Sequence, residues 1–417
     1  MAVFMNEQAH GIRRPRRRSA MSPAINVFLF FVLLPFISPL PTVSDVQFPA
    51  FVVAALIIGW DLLKWRIYFD WVDLAFLSVA IWSFCYVLPS GEFILRQRAG
   101  LLMAFVIYFV VKKYAPLFSP RTVYLAIVVG FLGTVVQWLW PELFVKFAPR
   151  IIRTVKAIDN VRGQAGLSAE PSFLSAMALV QGLVLYDYYR NGRTSGRALT
   201  VGWMLAFAMI LLSRSATGFV TLLIVCAIWV AYFALRGLPL SVWVGATVLI
   251  VGGFLLLTGP MASTRGGAVL VNLYDRPSLI WKDGSFQERA GNLFLGSMAF
   301  AHHPLGVGGG GYTNAAREMA DRYHAERIFE NANPSALGGI LSSMGFYLAE
   351  VGLPFVFLLA VVFGRSLRAD PLHLAYCFLA LTFISGTFSI TCPLIWLMLG
   401  MTGRRGGLRA RAGPTPA

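Results

Sequence analysis

Residues 122–140 read TVYLAIVVGFLGTVVQWLW, an uncharged run long enough to cross a bilayer as a helix. Lipid offers the backbone no hydrogen-bonding partner, so a run of this kind must satisfy its own N–H and C=O groups, and only a helix does so within one segment. Similar runs recur on both sides of it, at 24–41, 48–63, 71–89, 99–115, 171–188, 198–213, 216–235, 240–259, 341–363, 372–386 and 389–402. The pattern predicts an all-α integral membrane protein with about twelve transmembrane helices and one large loop outside the bilayer. The last two runs are short. With Gly386 and Pro393 interrupting them, either one bent helix or two half-length segments packed inside protein fits.

Composition excludes the soluble alternatives. Hydrophobic residues make up 57% of the 417 and charged residues 13%, with a mean hydropathy of +0.69, whereas soluble domains carry about 25% charge. A net charge of +16 would suit a nucleic-acid binder, but such a protein gathers its basic residues on one soluble face, and here they sit in the gaps between apolar runs. No nucleic-acid partner is expected. Cys85, Cys226, Cys377 and Cys392 all lie inside apolar runs without ligand spacing, which argues against a disulfide framework or a zinc site.

Charge also sets the orientation. The cluster Arg13, Arg14, Arg16, Arg17 and Arg18 could open a signal peptide, but no small-residue cleavage site follows, so it is expected to be an uncleaved cytoplasmic tail. With the amino terminus inside, the cytoplasmic segments hold 20 of the 35 Lys and Arg although most are very short, and an even span count leaves the tail Arg404, Arg405, Arg409 and Arg411 inside as well. The expected organisation is a basic tail at 1–23, nine transmembrane helices over 24–259, a large outer loop at 260–340, the C-terminal transmembrane helices over 341–402 and a second tail at 403–417. The long loop has mixed charge, aromatics, three of the five histidines and a glycine run, the features of an ordered cap and not of a linker.

Several of the outer basic residues fall where a charge is costly. Arg98 opens the fourth span, Arg162 lies just before the sixth, and Arg214, in Ser213-Arg214-Ser215, joins two spans so tightly that its guanidinium must stay at the membrane surface. Interfacial snorkelling accounts for any one of them. Together they suit an anion, and a planar cationic fork at that depth matches a lipid-linked diphosphate. The stretch Arg162-Gly163-Gln164-Ala165-Gly166-Leu167-Ser168-Ala169-Glu170-Pro171-Ser172 runs into a helix. Glu170 there is either a plain helix-start acid or a base for a substrate hydroxyl. Further on, His302-His303-Pro304-Leu305-Gly306-Val307-Gly308-Gly309-Gly310-Gly311-Tyr312 places imidazoles beside a backbone that a ligand can approach closely. It lacks the G-K-[ST] of a nucleotide loop, and adjacent histidines, even with His324, lack acidic partners at the spacing a metal site needs. Of the acids, only Asp61 and Glu350 lie well inside apolar runs, and Glu350 is expected to face the bundle.

At these residues the chain resembles the O-antigen ligase and Wzy-type polysaccharide polymerase superfamily of bacterial inner-membrane proteins. The resemblance is carried by the element from Arg162 to Ser172, the Ser-Arg-Ser at 213–215, His303-Pro304-Leu305-Gly306-Val307-Gly308 and then Glu350-Val351-Gly352-Leu353, in that order along the chain. It implies a multi-pass inner-membrane enzyme with both termini cytoplasmic and a periplasmic outer face. The implied chemistry transfers a glycan from an undecaprenyl-diphosphate carrier to a sugar hydroxyl, without cofactor or metal. By the same resemblance Arg98, Arg162, Arg214 and Arg289 would hold the departing diphosphate, and His303 or Glu170 would take the acceptor proton. Implied partners are the lipid-linked glycan, membrane lipid, and a chain-length regulator and flippase of the same pathway. One departure weakens the ligase assignment: Asn331-Ala332-Asn333-Pro334 stands without an adjacent histidine, His324 being the nearest upstream.

Polymerisation of carrier-linked repeat units is therefore the leading expectation, with transfer of glycan to lipid A-core, the ligase reaction, as its alternative. A transporter or flippase for the same lipid is the alternative from another class. Transporters favour repeated halves and paired intramembrane ions, and the asymmetric span layout with one large outer loop fits an enzyme better.

Overall fold

The computed structural model describes residues 21–38, 48–86, 98–152, 163–234, 283–325, 342–367, 370–386 and 388–402. Among them the fold is helical throughout, apart from an isolated bridge between Ile37 and Ile152. In chain order the helices are α1 (Ser22–Leu33), α2 (Phe48–Leu63), α3 (Trp71–Cys85), α4 (Gly100–Tyr114), α5 (Pro120–Leu139), α6 (Pro141–Ile151), α7 (Pro171–Arg190), α8 (Gly196–Ser213), α9 (Ala216–Ala234), α10 (Gly284–His302), α11 (Tyr312–Arg322), α12 (Ser343–Val351), α13 (Leu353–Ser366), α14 (Pro371–Gly386) and α15 (Pro393–Thr402). Three helical stretches, Gly100–Leu117, Pro120–Leu139 and Gly196–Ser213, are long and apolar enough to cross a membrane, and seven more helices are apolar but shorter.

The differences from the hydropathy reading have local causes. The run 24–41 is helical only to Leu33, because Pro35 disfavours helical backbone at Leu34. The run 341–363 is two helices, α12 and α13, separated at Gly352, whose φ of +69° no helix interior tolerates, with Pro354 in the first turn of the second. Residues 372–402 form two helices, not one bent one, and α15 runs back beside α4 with Gly400 against Val111 and Gly100 beside Ile390 and Thr391. Within 260–340 the described residues are largely helical, as α10 and α11, and the segment 141–170 contains α6. The expected span 240–259 lies outside the described residues.

α7 and α8 run antiparallel. Gly182 of α7 faces the Trp203 ring of α8, Gly202 of α8 faces Leu185, and the loop before α7 meets the end of α8 through Gln164 N–H donating to the Leu212 carbonyl at 3.0 Å. One end of the bundle is clamped by ion pairs. Lys112 bridges Asp70 and Asp73 at the start of α3, Arg365 of α13 joins Asp70, and Lys113 and Tyr114 both bind Asp61 Oδ2 of α2 at 2.6 Å. Arg190 at the end of α7 grips Asp370, just before α14, with two bonds of 2.8 and 2.6 Å. Burial would raise the carboxyls of Asp70 and Asp370, but the bonds from Lys112 and Arg365 to the first, and from Arg190 to the second, hold both well below the usual carboxylate range.

Candidate functional site

The other end of the bundle gathers the singled-out motifs, and the connection at 388–392 between α14 and α15 is their hub. Phe388 stacks on Phe173 of α7 with centroids 4.6 Å apart, and Phe173 stacks in turn on Phe36 at 5.2 Å. Ser343, at the start of α12, donates to the Phe388 carbonyl at 3.1 Å and accepts from Ile390 N–H at 2.9 Å. Arg289 of α10 lies along Gly386, and Gly100 of α4 lies along Thr391. The starts of α4, α7 and α12 and the first half of α10 therefore surround a few residues.

Beside this hub Arg98, Glu350 and the glycine run meet. Arg98 is only 2% exposed, and its Nη2 donates to the Gly309 carbonyl at 2.7 Å. A Cβ on Gly309 would stand 2.8 Å from the guanidinium carbon, so the approach requires glycine. Gly309 N–H donates to Tyr86 O at the end of α3. Glu350 Oε1 accepts from Gly310 N–H at 2.8 Å and Tyr312 N–H at 3.4 Å, and the Arg98 charge acts on the same carboxylate. The main chain completes the fit. Val307 and Gly308 donate to the carbonyls of Ala349 and Glu350, and Leu353 donates to Pro304 O at 2.7 Å.

This arrangement follows from the break at Gly352. Ending α12 early leaves the carbonyls of its last turn without helical donors. The run 304–308 supplies donors to those of Ala349 and Glu350, in place of a further helical turn. The Glu350 carboxylate in turn satisfies the first N–H groups of α11, the place where a helix start would otherwise attract an external anion. Its Oε1 fills that site from within.

α11 is held against α10 at both ends. Tyr312 OH bonds Asn292 Oδ1, and burial pushes that phenol well above its ordinary range, with the nearby Glu350 acting in the same direction, so it remains a donor. At the far end His302 Nε2 lies 2.8 Å from Tyr323 OH and the Arg322 guanidinium lies over the same ring. His303, the imidazole singled out in sequence, caps α10 with its ring exposed, while its neighbour His302 makes the side-chain bonds.

The other candidates divide as follows. Arg214 ends α8 in the left-handed conformation, φ 49°, and is exposed beside the loop that begins with Gly163. Arg162 lies outside the described residues. Glu170 stands at the cap position of α7 without capping it, and its Oε2 accepts from Ser172 Oγ at 3.4 Å. The structure thus brings Arg98 to Glu350 and the glycine run, Arg214 to the loop before α7, and Arg289 to Gly386 at the end of α14. Tyr86, Asn292 and the hub itself escaped the sequence reading. Only the Gly386 and Pro393 interruption pointed toward the last of them. Among the described residues no three His, Cys, Asp or Glu side chains converge as a metal site requires. No protein-family model matches the chain, and no curated protein matches it.

Proposed function

We propose that the chain is a polysaccharide polymerase that joins undecaprenyl-diphosphate-linked repeat units at the periplasmic face of a bacterial inner membrane. It would have twelve spans and both termini cytoplasmic. The observation that supports this reading is that buried Arg98 sits on the glycine run at the end of the bundle opposite the one clamped by Asp70, Lys112 and Arg365, with Arg289 against the end of α14 and Arg214 beside the loop that leads to Glu170. Guanidinium groups suit a departing diphosphate, and an acid or imidazole suits an acceptor hydroxyl.

In the reaction the acceptor oxygen attacks the anomeric carbon of the donor sugar, a new glycosidic C–O bond forms, and the C–O bond to the diphosphate breaks. The acceptor proton passes to His303 or Glu170, and undecaprenyl diphosphate leaves with its charge held by Arg214 and Arg289, joined by Arg162 next to Gly163. Arg98 acts one step back: buried on Gly309, it shapes the glycine run that follows His303. Purified protein given carrier-linked repeat units should release undecaprenyl diphosphate and form a ladder of glycan lengths. Arg214→Ala and Arg289→Ala should each reduce the rate at least a hundredfold, about 2.7 kcal/mol of transition-state stabilisation, as when one oxyanion donor is removed. Exposed Lys146 of α6 serves as the silent control. Unchanged ladders from both arginine variants would remove the diphosphate assignment.

A further inference from the structure

At the clamped end of the bundle, far from the proposed chemistry, a furrow runs between the start of α3 and the second half of α13, lined by Asp70, Trp71, Phe357, Ala360, Val361, Gly364 and Arg365. Its walls are apolar and open, Trp71 being 64% and Phe357 54% exposed. Its floor lacks a side chain at Gly364, where a Cβ would meet nothing within 4 Å. Its mouth is a salt bridge, Arg365 Nη1 to Asp70 Oδ2, in which both side chains keep part of their surface, 26% and 35%.

We propose that this furrow binds a phospholipid whose headgroup carries both a phosphate and a hydrogen-bonding ammonium, phosphatidylethanolamine, with one acyl chain laid along Trp71, Phe357 and Gly364. The level is right for a headgroup. Trp60, Trp65, Tyr68 and Trp71 are all exposed at this end, and amphipathic aromatic rings settle at the boundary between lipid and water. The charges match a zwitterion. Asp70 and Asp73 balance Lys112 and Arg365, so the mouth has no net charge but does have separated poles. The guanidinium has five N–H donors, and one nitrogen faces Asp70, which leaves donors for a phosphate. Asp70 receives the Asp73 N–H on one oxygen and Lys112 and Arg365 on the other, three of about four lone-pair positions, which leaves one for an ammonium N–H. An anionic headgroup without the ammonium would leave the remaining Asp70 lone pair without a donor, and a choline headgroup has no N–H to donate.

The test is native mass spectrometry of the full-length protein in detergent, titrated separately with phosphatidylethanolamine, phosphatidylglycerol and phosphatidylcholine of matched chains. Phosphatidylethanolamine should be retained about tenfold more tightly than either of the others, the value of one charge-assisted hydrogen bond. Gly364→Leu, which fills the furrow without touching the ion pair, should abolish the preference and leave the melting temperature in detergent unchanged. Equal retention of the three lipids, preference for phosphatidylglycerol, or a preference that survives Gly364→Leu would each overturn the assignment.

Discussion

Glu350 and Arg98 are buried at the end of the bundle opposite the ion-pair clamps, and each is bound to a glycine of the same run, Glu350 to the N–H of Gly310 and Arg98 to the carbonyl of Gly309. Glu350→Ala leaves the buried Gly310 and Tyr312 N–H groups without their acceptor, so thermal unfolding should show a loss of about 1–3 kcal/mol. An unchanged melting temperature would mean that the carboxylate is not what holds α11. Gly352→Ala should cost more than about 1 kcal/mol, since its φ is positive and its Cβ would stand 2.3 Å from the Pro304 carbonyl oxygen. The inward direction of Glu350 was legible because an acid inside an apolar run must find protein partners. Its partners were not, because Gly310 and Tyr312 are some 40 positions away and no local pattern links them. Likewise the pair His302-His303 was visible, but choosing between its two rings required the position of Tyr323 on another helix.

At the scale of helices, hydropathy located the apolar runs and missed their interruptions. Hydropathy sums side-chain character over a window, so it passes through Pro35 and Gly352, where the backbone stops being helical. The breaks matter because α12 ends where the glycine run supplies its donors. The clamped end makes a separate prediction. The carboxyls of Asp70 and Asp370 are lowered in the folded state, so their contribution is complete above the ordinary carboxylate value of about 4 and is lost as pH falls through the folded values below it. Melting temperature should therefore be insensitive to these groups between about pH 5 and 8 and fall in more acidic buffer. Asp370→Asn, which breaks the paired bonds from Arg190, should lower the melting temperature near neutrality and reduce the acid slope. A variant with the parental acid slope would show that this pair contributes nothing to it.

For the whole molecule, the division of charge between the two ends is the feature most plainly written in the sequence. The basic residues of the short segments 112–121, 189–197 and 364–371 supply the ion-pair clamps, while at the other end Arg289 lies against Gly386 and Arg214 beside the loop before α7. The positive-inside bias that orients the chain thus also welds its cytoplasmic end, in the orientation we propose. What could not be read in advance was the packing of α10 and α12, where Gly296 lies on Gly345, because small residues mark a close approach without naming the partner. The measurement that bears most directly on the proposed activity is gel analysis of surface and secreted glycan from a strain lacking this chain, scored for chain length and for attachment to lipid A. Polymerase activity predicts single repeat units still attached to lipid A and no long chains. Long polymer held on the carrier and absent from lipid A would contradict it in favour of a ligase, and repeat units stranded on the cytoplasmic face would contradict it in favour of transport.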